Sequence, residues 1–188
     1  THPLKEKNEK VVTQNDREPE LPLSEEKVKG MSVSDSPDRG EYQGDIVIRS
    51  EQDLEKVFGY TAVSGDVRVV GTDLENLDAL RTLRRVGGSL TIEDNPKLTS
   101  IHGIRGISAV GKDIVVSHNL ALPNLHGLSS IGTVEGKVRI ANNGSLRTLS
   151  GAESIEAKGK FELVNNRGLK PCAEDILLRE DAFDNSRP

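Results

Sequence analysis

The sequence predicts a mainly β protein: a right-handed parallel β-solenoid of about six coils with short capping helices. Three observations carry that expectation. A strand-like pentapeptide recurs six times at near-constant spacing. A Leu/Ile/Val column with a period of three follows it, and asparagine returns at one place in successive copies. Self-similarity at a period of about 20 to 50 residues is the signature of repeats that stack to share a core.

Taken in order, residues 1–42 read as a disordered polar linker or tail. The stretch mixes Lys with Glu, scatters four prolines before residue 40 and holds no sustained apolar period. Such a composition buries too little apolar surface to offset its chain entropy. The solenoid is expected over 43–180. Its strands open at "GDIVI" (Gly44), "GDVRV" (Gly65), "GSLTI" (Gly88), "KDIVV" (Lys112), "GKVRI" (Gly136) and "GKFEL" (Gly159). Their first apolar residues are Ile46, Val67, Leu90, Ile114, Val138 and Phe161, separated by 21, 23, 24, 24 and 23 residues. Alternation within each piece marks a half-buried strand.

The return path of each coil keeps a different rhythm. Leu74, Leu77, Leu80, Leu83 and Val86 are matched 24 residues on by Leu98, Ile101, Ile104, Ile107 and Val110, and again by Leu122, Leu125, Leu128, Ile131 and Val134. An apolar residue at every third step suits a 3₁₀-like course, in which three residues complete a turn. Asn95, Asn119, Asn143 and Asn166 form the expected structural ladder, since an amide both donates and accepts. Asn143 also opens an "NGS" sequon, read as a chance match because an inward position makes a poor acceptor. Gly103, Gly127 and Gly151 are read as tight turns of the backbone.

Both ends carry helix signals. Ser50 with Asp53 three residues later approximates a capping box for a helix with Leu54 and Phe58 on one face, ending at Gly59. At the other end Pro171 suits a first helical position, and Cys172, Ile176 and Leu177 supply a lid. Residues 181–188 read as a C-terminal tail.

Bulk properties narrow the function classes. The 25 basic and 30 acidic side chains give a net charge of −5 with no basic stripe, so no nucleic-acid partner is expected. Five aromatic side chains and no Trp leave few platforms for bases or sugars. No apolar run reaches the length of a membrane span, although an anchor upstream of the tail is compatible with the chain. The single cysteine, Cys172, rules out an internal disulfide.

No catalytic motif is visible, no cofactor and no metal site is expected, and the chain is read as a non-enzyme. Asp73, Glu75 and Asp78 read as a solvated rim. His102 and His126 are one repeat apart and are expected to stack at about the 5 Å spacing of neighbouring strands, as turn residues inherited by duplication. The surface left for function is the outward face of the strands. Arg68, Thr91, Val115, Arg139 and Glu162 are the candidate partner-binding residues there, with Arg68 and Arg139 as anchors because arginine is enriched where binding energy concentrates.

The unit "VGGSLTIEDNPKLTSIHGIRGISAV" resembles the receptor L domain, a leucine-rich-repeat relative, in its simple bacterial form. The shared features are the Gly-x-Leu-x-Ile strand, an Asn shortly after it, the "LTSIHGI" return and an N-terminal helix. The resemblance covers about residues 43–170. It implies a scaffold that binds another protein, secreted, periplasmic or surface-associated at a bacterial envelope, with a cytoplasmic location left open. It does not imply growth-factor recognition, because the cysteines and large aromatics of the receptor ectodomains are missing. Two alternatives remain at this point: a carbohydrate-active parallel β-helix enzyme, using Asp66 with Glu93 or Arg139 with Lys137, and a purely structural spacer.

Overall fold

The structure, a computed structural model, describes residues 38–169. Most of the expected N-terminal tail, the expected lid with Pro171, Cys172, Ile176 and Leu177, and the 181–188 tail lie outside the described residues.

Each repeat supplies one longer and one shorter strand. The longer strands are β2 (Ile46–Ile48), β4 (Val67–Val70), β6 (Leu90–Glu93), β8 (Ile114–Ser117), β10 (Val138–Ala141) and β12 (Phe161–Val164). They pair in sequence order into a parallel six-stranded sheet. The register is the one that the repeat alignment predicts: Leu90 lies opposite Val67 and Ile114, and Val138 opposite Ile114 and Phe161. Alternation fixes which side chains go inward. Val67, Val69, Leu90, Ile92, Ile114, Val116, Val138 and Ile140 are all buried.

The shorter strands form a second parallel sheet, which the sequence reading did not anticipate. They are β1 (Glu41–Tyr42), β3 (Ala62–Val63), β5 (Arg85–Val86), β7 (Ala109–Val110), β9 (Thr133–Val134) and β11 (Glu156–Ala157). Val86, Val110 and Val134 were expected to end the return path, and two residues are too few for alternation to reveal a strand. Glu41 and Tyr42, at the end of the stretch read as tail, belong to this sheet through Ala62 and Val63.

Between the sheets the period of three has a direct cause. Through the middle of the return path, the N–H of an inward residue donates to the carbonyl of the inward residue before it: Leu80 to Leu77 (2.9 Å), Leu83 to Leu80 (2.9 Å), Leu128 to Leu125 (2.8 Å) and Ile131 to Leu128 (3.0 Å). Successive i→i+3 bonds turn every third side chain to one side. Three segments tighten into 3₁₀ turns, Asp78–Leu80, His102–Ile104 and His126–Leu128. The resulting Leu/Ile/Val cluster runs from Ile46 to Leu163. Each fully buried Leu or Ile stabilises by about 1.5–3 kcal/mol relative to exposure.

The glycines of the return path lie at tight turns, as expected, and carry a second constraint. The 3₁₀ turns around Gly103 and Gly127 have no positive φ, and only Gly151 does (+101°). What they share is proximity: a Cβ would run into the carbonyl of Leu77 at Gly103, of Ile101 at Gly127 and of Leu125 at Gly151. Neighbouring repeats approach too closely there for any side chain. The first member of the column is Ala79, which has only helix α1 (Glu51–Val57) rather than another return path on that side.

Helix α1 follows the predicted capping. Ser50 Oγ accepts the Asp53 N–H (3.2 Å), and Asp53 Oδ2 in turn accepts the Arg49 N–H (3.2 Å), one residue outside the usual box. That backbone bond, then the Lys56 and Ser50 side chains, hold the Asp53 carboxyl below its ordinary range. Leu54, Val57 and Phe58 are buried over the first repeats.

Candidate functional site on the outer face of the long-stranded sheet

Three columns of side chains bond to backbone and so leave the protein with a defined remaining surface. The first is the asparagine ladder. Asn95, Asn119 and Asn143 are fully buried, and Asn166 is partly so. Asn119 Oδ1 accepts the Asn95 N–H (3.2 Å) and Nδ2 (3.0 Å), while Asn119 Nδ2 donates to the Ile92 carbonyl (2.9 Å). Asn143 and Asn166 repeat this one and two repeats on. Thr72 ends the ladder, giving both its N–H and its hydroxyl to Asn95 Oδ1. Burial of Asn143 in this ladder places the "NGS" sequon where no glycan fits.

The residues just before the ladder, Asp94, His118, Asn142 and Asn165, all take left-handed φ of 53–57°, and Gly71 does the same ahead of Thr72 (65°). Asn and Asp tolerate that region best among side-chain-bearing residues. The corner therefore explains the recurring "DN", "HN" and "NN" pairs. His118 sits there with Nδ1 3.7 Å from Glu93 Oε1 and 3.8 Å from Asp94 Oδ1, and Nε2 3.0 Å from Asn142 Nδ2.

The second and third columns were not foreseen. At the start of the long strands, Asp45 Oδ1 accepts the Asp66 N–H, Asp66 Oδ1 the Ser89 N–H and Asp113 Oδ1 the Lys137 N–H, each at 2.8 Å. At the start of the 3₁₀ segments, Asn76, Ser100, Asn124 and Thr148 each accept the N–H two residues on, at 3.0–3.2 Å. Both recur in the sequence as short acceptors 21 to 24 residues apart. They bear on chemistry too. Asp66 is held by a backbone amide, and Glu93 accepts the Ser117 hydroxyl (2.8 Å), so both carboxylates of the glycan-enzyme alternative are engaged in the framework.

The outward column of the long sheet places the five candidate partner-binding residues side by side. Arg68 is in register with Val47 and Thr91, Thr91 with Val115, Val115 with Arg139, and Arg139 with Glu162. The two arginines differ. Arg139 Nη1 is 2.7 Å from Glu162 Oε2, so its charge is already matched. Arg68 is exposed and makes no ion pair or hydrogen bond among the described residues, and Val47 beside it is 44 % exposed.

His102 and His126 occupy equivalent places on adjacent repeats, but each ring has a separate partner. His102 Nε2 is 2.9 Å from Arg105 Nη1, and His126 Nε2 is 3.1 Å from Ser150 Oγ. Among the described residues no group of three or more His, Cys, Asp or Glu side chains is placed to hold a metal ion, and no helix is long and apolar enough to cross a membrane. A scan against protein-family models and searches of curated proteins and of solved structures each find no match.

Proposed function

We propose that the protein is a non-catalytic protein-binding or scaffolding module, a right-handed β-solenoid of the receptor L-domain type. Its N-terminal segment displays it at a cell envelope or surface, and the outer face of the long-stranded sheet receives the partner. The observation that carries the reading is Arg68: an exposed guanidinium whose side chain makes no ion pair or hydrogen bond among the described residues, set in register between Val47 and Thr91 on the parallel sheet. A partner that brings a carboxylate to Arg68 and an apolar side chain to Val47 gains a charge-assisted bond and excludes water from it. Arg139 is the weaker anchor, because a partner must first displace Glu162.

The test is capture of a partner from the source cells, followed by binding measurements with Arg68→Glu and Arg139→Glu. Arg68→Glu is expected to weaken binding at least tenfold and Arg139→Glu far less, with unchanged circular dichroism in both. A partner that binds Arg68→Glu as well as the unaltered protein sinks the sheet-face reading.

A further inference from the structure

A cleft lies beside the first repeats, past the ends of strands β2 and β4, where Arg49 and Gly71 line it. Helix α1 and the Gly71–Arg81 return segment enclose a cleft of about 580 Å³, within the range of peptide and small-ligand pockets. Leu54, Leu74 and Ala79 supply its apolar lining. The backbone on one wall is a stacking edge without a neighbour. In the next repeat, the Thr99 and Ser100 N–H groups both donate to the Glu75 carbonyl (2.9 and 3.2 Å), and further on Arg147 donates to Pro123 (3.0 Å). The equivalent donors here, the N–H groups of Glu75 and Asn76, belong to residues that line the cleft and find no acceptor among the described residues. Helix α1 replaces a return path at this level, and a helix keeps its carbonyls for itself.

The walls also carry an imbalance of charge. Glu51, Glu55, Asp73, Glu75 and Asp78 line the cleft against two arginines, Arg49 and Arg81, and Arg81 lies over the Phe58 ring (5.0 Å). Asp73 is paired outward with Lys97 (3.1 Å).

We propose that this cleft binds an extended, lysine- or arginine-bearing peptide segment of a partner protein, laid along the return path as a missing repeat would be. Its carbonyls accept the Glu75 and Asn76 N–H groups. Its apolar side chains meet Leu54, Leu74 and Ala79, and its cationic ones meet Glu51, Glu55 and Asp78. Backbone pairing supplies the affinity and the charge pattern the selectivity, as in other strand-addition modes. The site is independent of Arg68, so each stands or falls separately.

The experiment uses the full 188-residue chain and a fluorescein-labelled hexapeptide of alternating Lys and Val, with a Glu/Val hexapeptide for comparison. Anisotropy is expected to show saturable binding of the Lys/Val peptide only, weakened at least fivefold by Glu55→Gln with Asp78→Asn, and unchanged by Arg68→Glu. Amide exchange at Glu75 and Asn76 is expected to slow when the peptide is bound. A paired control, Glu153→Gln with Glu156→Gln at the far end, separates local recognition from general attraction to an acidic protein. Equal weakening by that control, binding that survives Glu55→Gln with Asp78→Asn, or protection elsewhere than Glu75 and Asn76 overturns the proposal. So does an absence of binding.

Discussion

Replacing Asn119 by Ala removes the central rung of the asparagine ladder and leaves its neighbours buried. The Asn95 N–H and one hydrogen of Asn95 Nδ2 lose their acceptor, the Ile92 carbonyl loses a donor, and Asn143 Oδ1 loses one of its bonds. A buried polar group left unsatisfied costs about 1–3 kcal/mol, so two stranded donors and one deprived acceptor amount to about 3–9 kcal/mol. That is a large fraction of the roughly 5–15 kcal/mol that holds a typical domain folded. Asn166→Ala is the matched comparison. It strands the Asn143 N–H and one Nδ2 hydrogen, but at a partly exposed rung that water reaches, so about 1 kcal/mol is expected. Urea unfolding followed by far-ultraviolet circular dichroism measures both, with equal slopes showing that the same surface is exposed. The reasoning is refuted if Asn119→Ala costs no more than Asn166→Ala, because burial of the rung would then carry no weight.

Gly127→Ala is expected to cost several kcal/mol by urea unfolding, since its Cβ meets the Ile101 carbonyl and side chain. Gly132→Ala, with open space around it and no positive φ, is expected to be neutral or to stabilise by about 0.4–1 kcal/mol. Ser50→Ala is expected to lose about 1 kcal/mol through the α1 cap. Because folding depresses the Asp53 carboxyl, its contribution is complete above the unfolded value near pH 4 and disappears as pH falls through the folded one. Asp53→Asn should therefore flatten the acid limb of a stability–pH curve and leave its alkaline side alone. Asn143 precedes Gly144, a dipeptide whose deamidation needs the Gly144 nitrogen to reach the Asn143 side-chain carbonyl. Held at both ends of its amide, Asn143 should resist the unit-mass gain in the folded protein and acquire it quickly in urea, as mass spectrometry of the tryptic peptide would report.

Period and register were legible because each is set by a repeated physical demand. The long strands must alternate, the return path must turn inward every third residue, and the corner must satisfy buried amides, so all three recur at 21 to 24 residues. The shorter sheet was not legible, since Val86, Val110 and Val134 satisfy the period of three and the strand pairing equally well. Gly103 and Gly127 were legible as tight turns, but the close approach of the adjacent backbone was not. A sequence shows that a side chain is missing, but only stacked backbones show what would have occupied its place. At the outward face the five residues were placed correctly side by side by register. The same register sets Thr91 opposite Arg68 and Glu162 opposite Arg139, but that the Glu162 carboxylate closes on the guanidinium at 2.7 Å is a side-chain contact that register alone does not give.

Columns bonded to backbone and columns free of it separate the framework of this chain from the surfaces proposed for recognition. Columns that bond to backbone repeat the same chemistry in nearly every copy: Asn in the ladder, Asp or Ser at the strand start, Asn, Ser or Thr before the 3₁₀ segments. A change there breaks a bond to the adjacent repeat, so those positions have little freedom to encode a partner. The outward column has no such bond to make and runs Val47, Arg68, Thr91, Val115, Arg139, Glu162, with no residue type held from one end to the other. The N-terminal cleft is the other place where the repeat is interrupted, with Ala79 instead of glycine, Thr72 instead of asparagine and a helix instead of a return path. In a stack whose strands pair only with the adjacent repeats, substitutions at these two places leave the remaining strand pairings intact. Specificity can therefore reside there at small cost to stability, and mutational searches for binding belong at Arg68 and around Glu55 before any other position.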